Sequence, residues 1–130
     1  MHNVIELFSD TWLKAMEFFR PFLENLPENV EKSAPVVRIA ILDDGVDVCA
    51  DELIGRIAQG QSYCRSSSTE DQHSMHFVSG GGHGTAMARL VCKVFNKVEL
   101  LIVKLDGANT GKPTAISAAQ GIKWAVSEGV

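Results

Sequence analysis

Two runs of almost continuous apolar residues, 36–42 and 98–105, constrain the fold of this chain more than any other feature. Both have the length and composition of strands that are buried on two faces. Helical spacing of apolar residues is found in residues 85–95, between the two runs, and again in the segment that begins at Thr114. Strands that alternate with helices build parallel sheets with right-handed crossovers. We therefore predict an α/β fold with a parallel sheet.

The amino-terminal region is predicted to be a helical extension that precedes this domain. Its apolar residues recur every three or four positions, which indicates one helix with a packing face, and Pro21 is expected to kink or divide it. Residues 26–35 are polar and bounded by prolines, as in a linker. The predicted boundaries are 1–33 for the extension and linker and 34–130 for the α/β domain. The apolar stripe comprises Val4, Phe8, Trp12, Met16, Phe19, Leu23 and Leu26.

The remaining segments connect these elements. Residues 54–58 indicate a short strand before a turn at Gly60, and residues 64–82 and 106–113 are predicted to be loops. Gly129 is a suitable terminator for the last helix. A parallel sheet of two or three strands leaves part of its surface unfilled, so we expect the domain to be truncated. The apolar residues predicted for the last helix are Ile116, Ala119, Ile122, Ala125 and Val126.

Charge and composition argue against several classes of protein. The net charge is −4 and the 12 Lys and Arg residues are scattered, which argues against a nucleic-acid partner. No apolar stretch reaches the roughly 18 residues of a membrane span, and the amino terminus lacks the pattern of a signal peptide. Cys49, Cys64 and Cys92 match neither a disulfide framework nor a zinc motif. We expect a cytoplasmic protein without a membrane partner, a cofactor or a metal.

Asp43 and His83 are the strongest candidates for chemistry. Asp43 follows the first predicted strand, at the sheet edge where α/β proteins keep their active sites, and His83 follows three glycines at the start of a helix. Neutral imidazole is a suitable general base for a hydroxyl nucleophile. A carboxylate that accepts the N–H of its other nitrogen fixes the tautomer and stabilises the cation that forms. We predict that Asp43 orients His83 as a catalytic pair.

The segments Asp43-Asp44-Gly45 and His83-Gly84-Thr85 resemble the subtilisin-like serine proteases, or subtilases. In that family the aspartate lies in a strand–Asp–Ser/Thr–Gly motif, and the histidine lies in His-Gly-Thr at the start of a helix. Residues 41–47, 98–107 and 121–126 are similar to further family segments, and the order Asp, His, Ser is that of subtilisin. The resemblance covers residues 36–130. It implies a three-layer subtilisin-like fold, a polypeptide substrate, and serine endopeptidase activity in which Asp43 and His83 are catalytic.

The chain departs from the family pattern at three places. Asp44 occupies the usual Ser or Thr position beside Asp43, and if both carboxyl groups were buried we would expect one pKa to rise. Residues 86–89 lack the second histidine and the glycine that many members have. No Gly-Thr-Ser motif supplies the nucleophile. We therefore expect this chain to be inactive alone and to require the remainder of the catalytic domain in cis.

Two other interpretations stay open at this point. Phosphoacceptor receiver domains also carry an acidic pair at the end of their first strand and bind magnesium there. Asp43-Asp44 fits that description, with Asp106 or Lys104 as further site residues, but His83-Gly84-Thr85 is then unexplained. The other alternative is a remnant of a protease that binds proteins without cleaving them. We prefer the protease interpretation.

Overall fold

The computed structural model describes residues 4–25, 35–65, 75–95, 97–108 and 111–130. These ranges contain a short 3₁₀ turn at Asp51–Leu53 besides the main helices and strands. The main elements, in chain order, are α1 (Val4–Glu24), β1 (Val37–Asp43), β2 (Ile57–Ser62), α2 (His83–Val94), β3 (Val98–Lys104) and α3 (Ala115–Ser127).

The strands form one parallel sheet in the order β1-β3-β2. β3 is central, and its residues 100–103 are completely buried. Asp43 of β1 and Ser62 of β2 are both register partners of Lys104. The carboxyl ends of the three strands therefore lie side by side. The predicted α/β fold with a parallel sheet is confirmed.

Helices cover both faces of the sheet. Ala88 and Cys92 of α2 belong to one buried cluster with Ile102 of β3. Because side chains alternate between faces along a strand, Val103 points to the opposite face. There α3 approaches so closely that a Cβ on Gly121 would lie 2.7 Å from a methyl group of Val103. The result is a three-layer arrangement of helix, sheet and helix.

The buried face of α3 consists of small residues. Of the apolar set predicted for this helix, only Ala125 is buried, together with Ser117 and Gly121. The close approach at Gly121 leaves no space for larger side chains. The start of the helix agrees with the prediction, since the Thr114 hydroxyl accepts a hydrogen bond from the Ser117 amide at 3.3 Å, and Gly129 follows its end with φ +89°. The other members of the predicted set are exposed: Ile116, Ala119, Ile122 and Val126.

The helix α1 differs from its prediction in two respects. It continues through Pro21 to Glu24 as one helix, so of the two effects expected of the proline, division is not found, and the Asn25 amide bonds to the Pro21 carbonyl at 3.1 Å. Its predicted packing face is also largely uncovered, with Trp12 54% and Phe19 55% exposed. In the described residues its most extensive contact is with α2, and this contact leaves much of the stripe exposed.

The predicted linker and Leu26 lie outside the described residues, as do the side chains of Val4, Phe8 and Leu23. In the described ranges, no helix combines the length and the apolar character that crossing a bilayer requires.

The second strand begins and ends later than predicted. Residues 51–56 form turns, with Gly55 at φ +75°, and β2 runs through Gly60, where a turn was expected. Pairing with the central strand overrides the polar sequence of β2. Gly60 is suited to this position because a Cβ there would overlap the ring of His76.

Candidate active site

The strand β1 and the helix α2 bring the two predicted catalytic residues together. Asp43 is the last residue of β1 and His83 is the first residue of α2. Oδ2 of Asp43 lies 2.7 Å from Nδ1 of His83. The Asp43 side chain is 18% exposed, whereas the imidazole is 71% exposed. The two groups are thus in hydrogen-bond contact at the edge of the sheet, and their role in catalysis stays a prediction.

Both carboxylate oxygens of Asp43 have partners. Oδ1 accepts a hydrogen bond from the Asp44 amide at 2.7 Å, while Oδ2 faces the imidazole. A carboxylate held at both oxygens keeps a fixed orientation. An imidazole that donates from Nδ1 carries its free electron pair on Nε2. This arrangement therefore prepares Nε2 of His83 to accept a proton.

Asp44 has a structural role that was not predicted from the sequence. Its side chain is buried, with 1% exposure, and it accepts hydrogen bonds from the Ser79 hydroxyl at 2.9 and 3.0 Å, the Gly81 amide at 2.5 Å and the Gly84 amide at 2.8 Å. Burial by itself would raise the pKa of Asp44, but these donors hold the pKa below its ordinary value.

The condition under which one pKa was expected to rise, burial of both carboxyl groups, is not met, because the Asp43 side chain is 18% exposed. The two carboxylates are used differently: Asp44 faces backbone donors and Asp43 faces the imidazole. The two adjacent acidic residues are visible in the sequence, but the hydrogen-bond donors to the Asp44 side chain lie 35 to 40 positions further along the chain.

Residues 75–82 cross the carboxyl ends of the strands and lead into α2. The His76 carbonyl accepts from the Val46 amide at 2.9 Å. The Val78 carbonyl accepts from Nζ of Lys104 at 2.7 Å, and Lys104 is itself buried. The Gly80 amide donates to the Asp44 carbonyl at 3.3 Å. These contacts fix the approach of the chain to His83.

Glycines permit close backbone contacts on both sides of the pair. A Cβ on Gly84 would overlap the Gly45 carbonyl oxygen, and a Cβ on Gly45 would overlap the Val78 carbonyl oxygen. Gly45 also has φ +93°, a left-handed conformation that favours glycine. Next to Gly84, the Thr85 hydroxyl accepts from the Asp47 amide at 2.9 Å. Steric crowding therefore explains why glycine occupies positions 45 and 84, one in each sequence motif.

A cleft of about 460 Å³ opens beside the pair. One part of its wall carries Asp43, Asp44, Gly81 and His83, and the remainder is mostly apolar and comes from the end of β1 and the loop after β3. A site of this kind holds a ligand by apolar contact beside a few polar groups. The apolar wall is formed by Leu42, Leu105, Ala108 and Pro113.

No known family model and no curated protein matches this chain.

The described part of the chain contains no serine bonded to His83. Ser79 is close in sequence, but its hydroxyl donates to Asp44 and accepts from the Gly82 amide at 2.8 Å. In the same ranges, no group of three or more His, Cys, Asp or Glu side chains is arranged to hold a metal ion. Among the described residues, the site therefore contains an imidazole oriented by a carboxylate and no serine in contact with it.

Proposed function

We propose that this chain is the amino-terminal part of the catalytic domain of a subtilisin-like serine endopeptidase. The single observation that carries the proposal is the 2.7 Å contact between Oδ2 of Asp43 and Nδ1 of His83 at the carboxyl end of a parallel sheet. The exposure of the imidazole beside a cleft with an apolar wall supports it, because a polypeptide substrate and a hydroxyl must both reach the ring.

In the proposed mechanism, Nε2 of His83 removes the proton from a serine hydroxyl as that hydroxyl attacks the substrate carbonyl. Asp43 holds the ring in the required tautomer and stabilises the imidazolium that forms. His83 then donates the proton to the leaving amine, and an acyl-enzyme remains for water to hydrolyse. The serine and the donors that stabilise the oxyanion belong to the remainder of the catalytic domain, in cis.

The buried network around Asp44 argues against the magnesium-binding alternative. A receiver-like site needs carboxylate oxygens that are free to coordinate the cation. Both oxygens of Asp44 accept hydrogen bonds from within the protein, and its side chain is almost completely buried. Lys104, which would join such a site, is directed to the Val78 carbonyl. The acidic pair therefore fits a structural role for Asp44 better than cation binding.

We also infer that the domain works in a reducing compartment such as the cytoplasm. Cys49, Cys64 and Cys92 are all free thiols, and Cys49 is exposed. An exposed free thiol is unusual in proteins that fold in oxidising compartments.

Covalent labelling by a fluorophosphonate probe tests the proposed activity. The probe reacts with serines that a neighbouring base activates. We expect no labelling of the 130-residue chain alone, and labelling of a natural polypeptide that contains it together with the serine-bearing remainder. Asp43→Ala and His83→Ala should abolish that labelling, whereas His73→Ala serves as a histidine control. Labelling that persists in His83→Ala, or that never occurs in the longer polypeptide, would overturn the proposal.

A further inference from the structure

Asp44 contacts both sides of the Asp43–His83 pair. Through its backbone, the Asp44 amide donates to Oδ1 of Asp43 at 2.7 Å. Through its side chain, Oδ1 accepts from the Gly84 amide at 2.8 Å, which follows His83 directly in the chain. One residue is therefore bonded to the carboxylate of the pair and to the backbone that carries the imidazole.

The second oxygen of Asp44 extends this contact along the segment before α2. Oδ2 accepts from the Gly81 amide at 2.5 Å, and the Ser79 hydroxyl donates to the same carboxylate. Ser79 in turn accepts from the Gly82 amide at 2.8 Å. The backbone on both sides of His83 is thus tied, directly or through Ser79, to one buried carboxylate.

The charge of Asp44 strengthens these contacts. Hydrogen bonds to a charged acceptor are shorter and stronger than those between neutral groups, and the first turn of a helix favours a negative charge. The donors also keep the pKa of Asp44 low, so the side chain is ionised at neutral pH. An asparagine would offer one acceptor oxygen and would turn an NH₂ group toward backbone donors.

We propose that Asp44 is a positioning residue, whose buried carboxylate sets the orientation of His83 toward Asp43. Its meaning for catalysis rests on the function proposed above. The geometric part of the proposal, that the Asp43–His83 contact depends on Asp44, can be measured in the 130-residue chain without any nucleophile.

The ring tautomer of His83 provides the measurement. An imidazole in water favours the Nε2–H form, whereas a ring that donates to Asp43 is held in the Nδ1–H form. Nitrogen-15 NMR of histidine-labelled protein, recorded over a series of pH values, distinguishes the two neutral forms. We expect the Nδ1–H form for His83 in the wild-type chain and its loss in Asp43→Asn.

In Asp44→Asn we expect the Nδ1–H form of His83 to be lost or strongly reduced, although Asp43 is unchanged. Asp47→Asn is the matched control, because Asp47 lies in the same loop and is exposed. It should leave the tautomer unchanged. Amide signals of residues 100–103, in the centre of the sheet, report whether each variant is folded.

Ser79→Ala decides the question if Asp44→Asn fails to fold. It removes one donor to the Asp44 carboxylate and keeps the charge, so we expect a partial shift of His83 toward Nε2–H. The positioning role is overturned if a folded Asp44→Asn, or Ser79→Ala in its place, keeps the wild-type tautomer. A wild-type chain that lacks the Nδ1–H form would overturn both proposals. If the tautomer shifts as expected but the longer polypeptide is never labelled by the fluorophosphonate probe, the function proposed above fails alone.

Discussion

Gly84 packs against the carbonyl oxygen of Gly45 so closely that any Cβ at position 84 would overlap that oxygen. The same Cβ would also lie 2.9 Å from Oδ1 of Asp44. This contact lies between the start of α2 and Gly45, just after the end of β1, and it limits how near His83 can come to Asp43.

Gly84→Ala should therefore destabilise the protein and separate the pair. In a helix alanine is favoured over glycine by about 1 kcal/mol, but overpacking against fixed backbone costs about 1–3 kcal/mol. We therefore expect a net decrease in the free energy of unfolding. Urea unfolding measures the change in the free energy of unfolding. Ala119→Gly, at an exposed position of α3, is the control, because it measures the difference in helix propensity between alanine and glycine without the overlap. An alanine variant at position 84 that is as stable as the wild type would contradict the packing.

Gly45 and Gly55 form a matched pair for the same argument. Both have positive φ, at +93° and +75°, but a Cβ on Gly45 would overlap the Val78 carbonyl oxygen, whereas Gly55 has nothing within 4 Å. Gly55→Ala should cost about 1–2 kcal/mol, the strain of a left-handed residue. Gly45→Ala should cost more because it adds the overlap. If urea unfolding gives the same loss of stability for Gly45→Ala and Gly55→Ala, the crowding at Gly45 is refuted.

The ionised Asp44 should make the protein sensitive to acid. Its folded-state pKa is lowered, so its contribution is present above the unfolded-state pKa of about 3.9 and is lost as pH falls through the folded-state value. Asp44→Asn should cost about 1–3 kcal/mol at neutral pH and should flatten the fall in stability below about pH 5.

Unfolding of wild type and variant at several pH values between neutral and strongly acidic measures this difference in slope. Asp47→Asn, at an exposed position of the same loop, should keep the wild-type slope. If the free energy of unfolding of Asp44→Asn falls with pH as steeply as that of the wild type, the Asp44 carboxylate is not the source of the acid sensitivity.

His76 predicts a second pH effect near neutrality. Burial lowers the pKa of His76, so the unfolded state binds its proton more readily than the folded state. Stability is then lost as pH falls below the unfolded-state value of about 6.5. His76→Gln should reduce the slope of stability against pH between about pH 7 and 5. The measurement is thermal or urea unfolding across that range, and an unchanged slope would contradict the burial of a neutral ring.

The sequence predicts the elements whose signal is local. β1 and β3 are apolar runs, α2 has a helical period, and Asp43 and His83 lie beside glycines that turn the chain. β2 was predicted in the wrong position because its pairing with β3 and the cover of His76 over Gly60 are not visible in its own residues. The face of α3 was predicted wrongly for a related reason, since the distance between helix and sheet favours Ser117 and Gly121 over larger residues.

The contacts of Asp44 and Lys104 could not be predicted from local pattern either. Asp44 has donors in residues 79–84, and Lys104 has its acceptor at Val78. A charged residue at the end of a buried strand indicates that a partner exists, but it does not say where in the chain that partner lies. Only the path of residues 75–82 across the strand ends brings them together.

The contacts that join Asp43 and His83 are all made by residues 43–84. If the proposed function holds, the catalytic base is assembled within this chain, and its orientation does not depend on the part of the enzyme that bears the serine. A nucleophile brought to this edge of the sheet would then meet a proton acceptor whose orientation is already set.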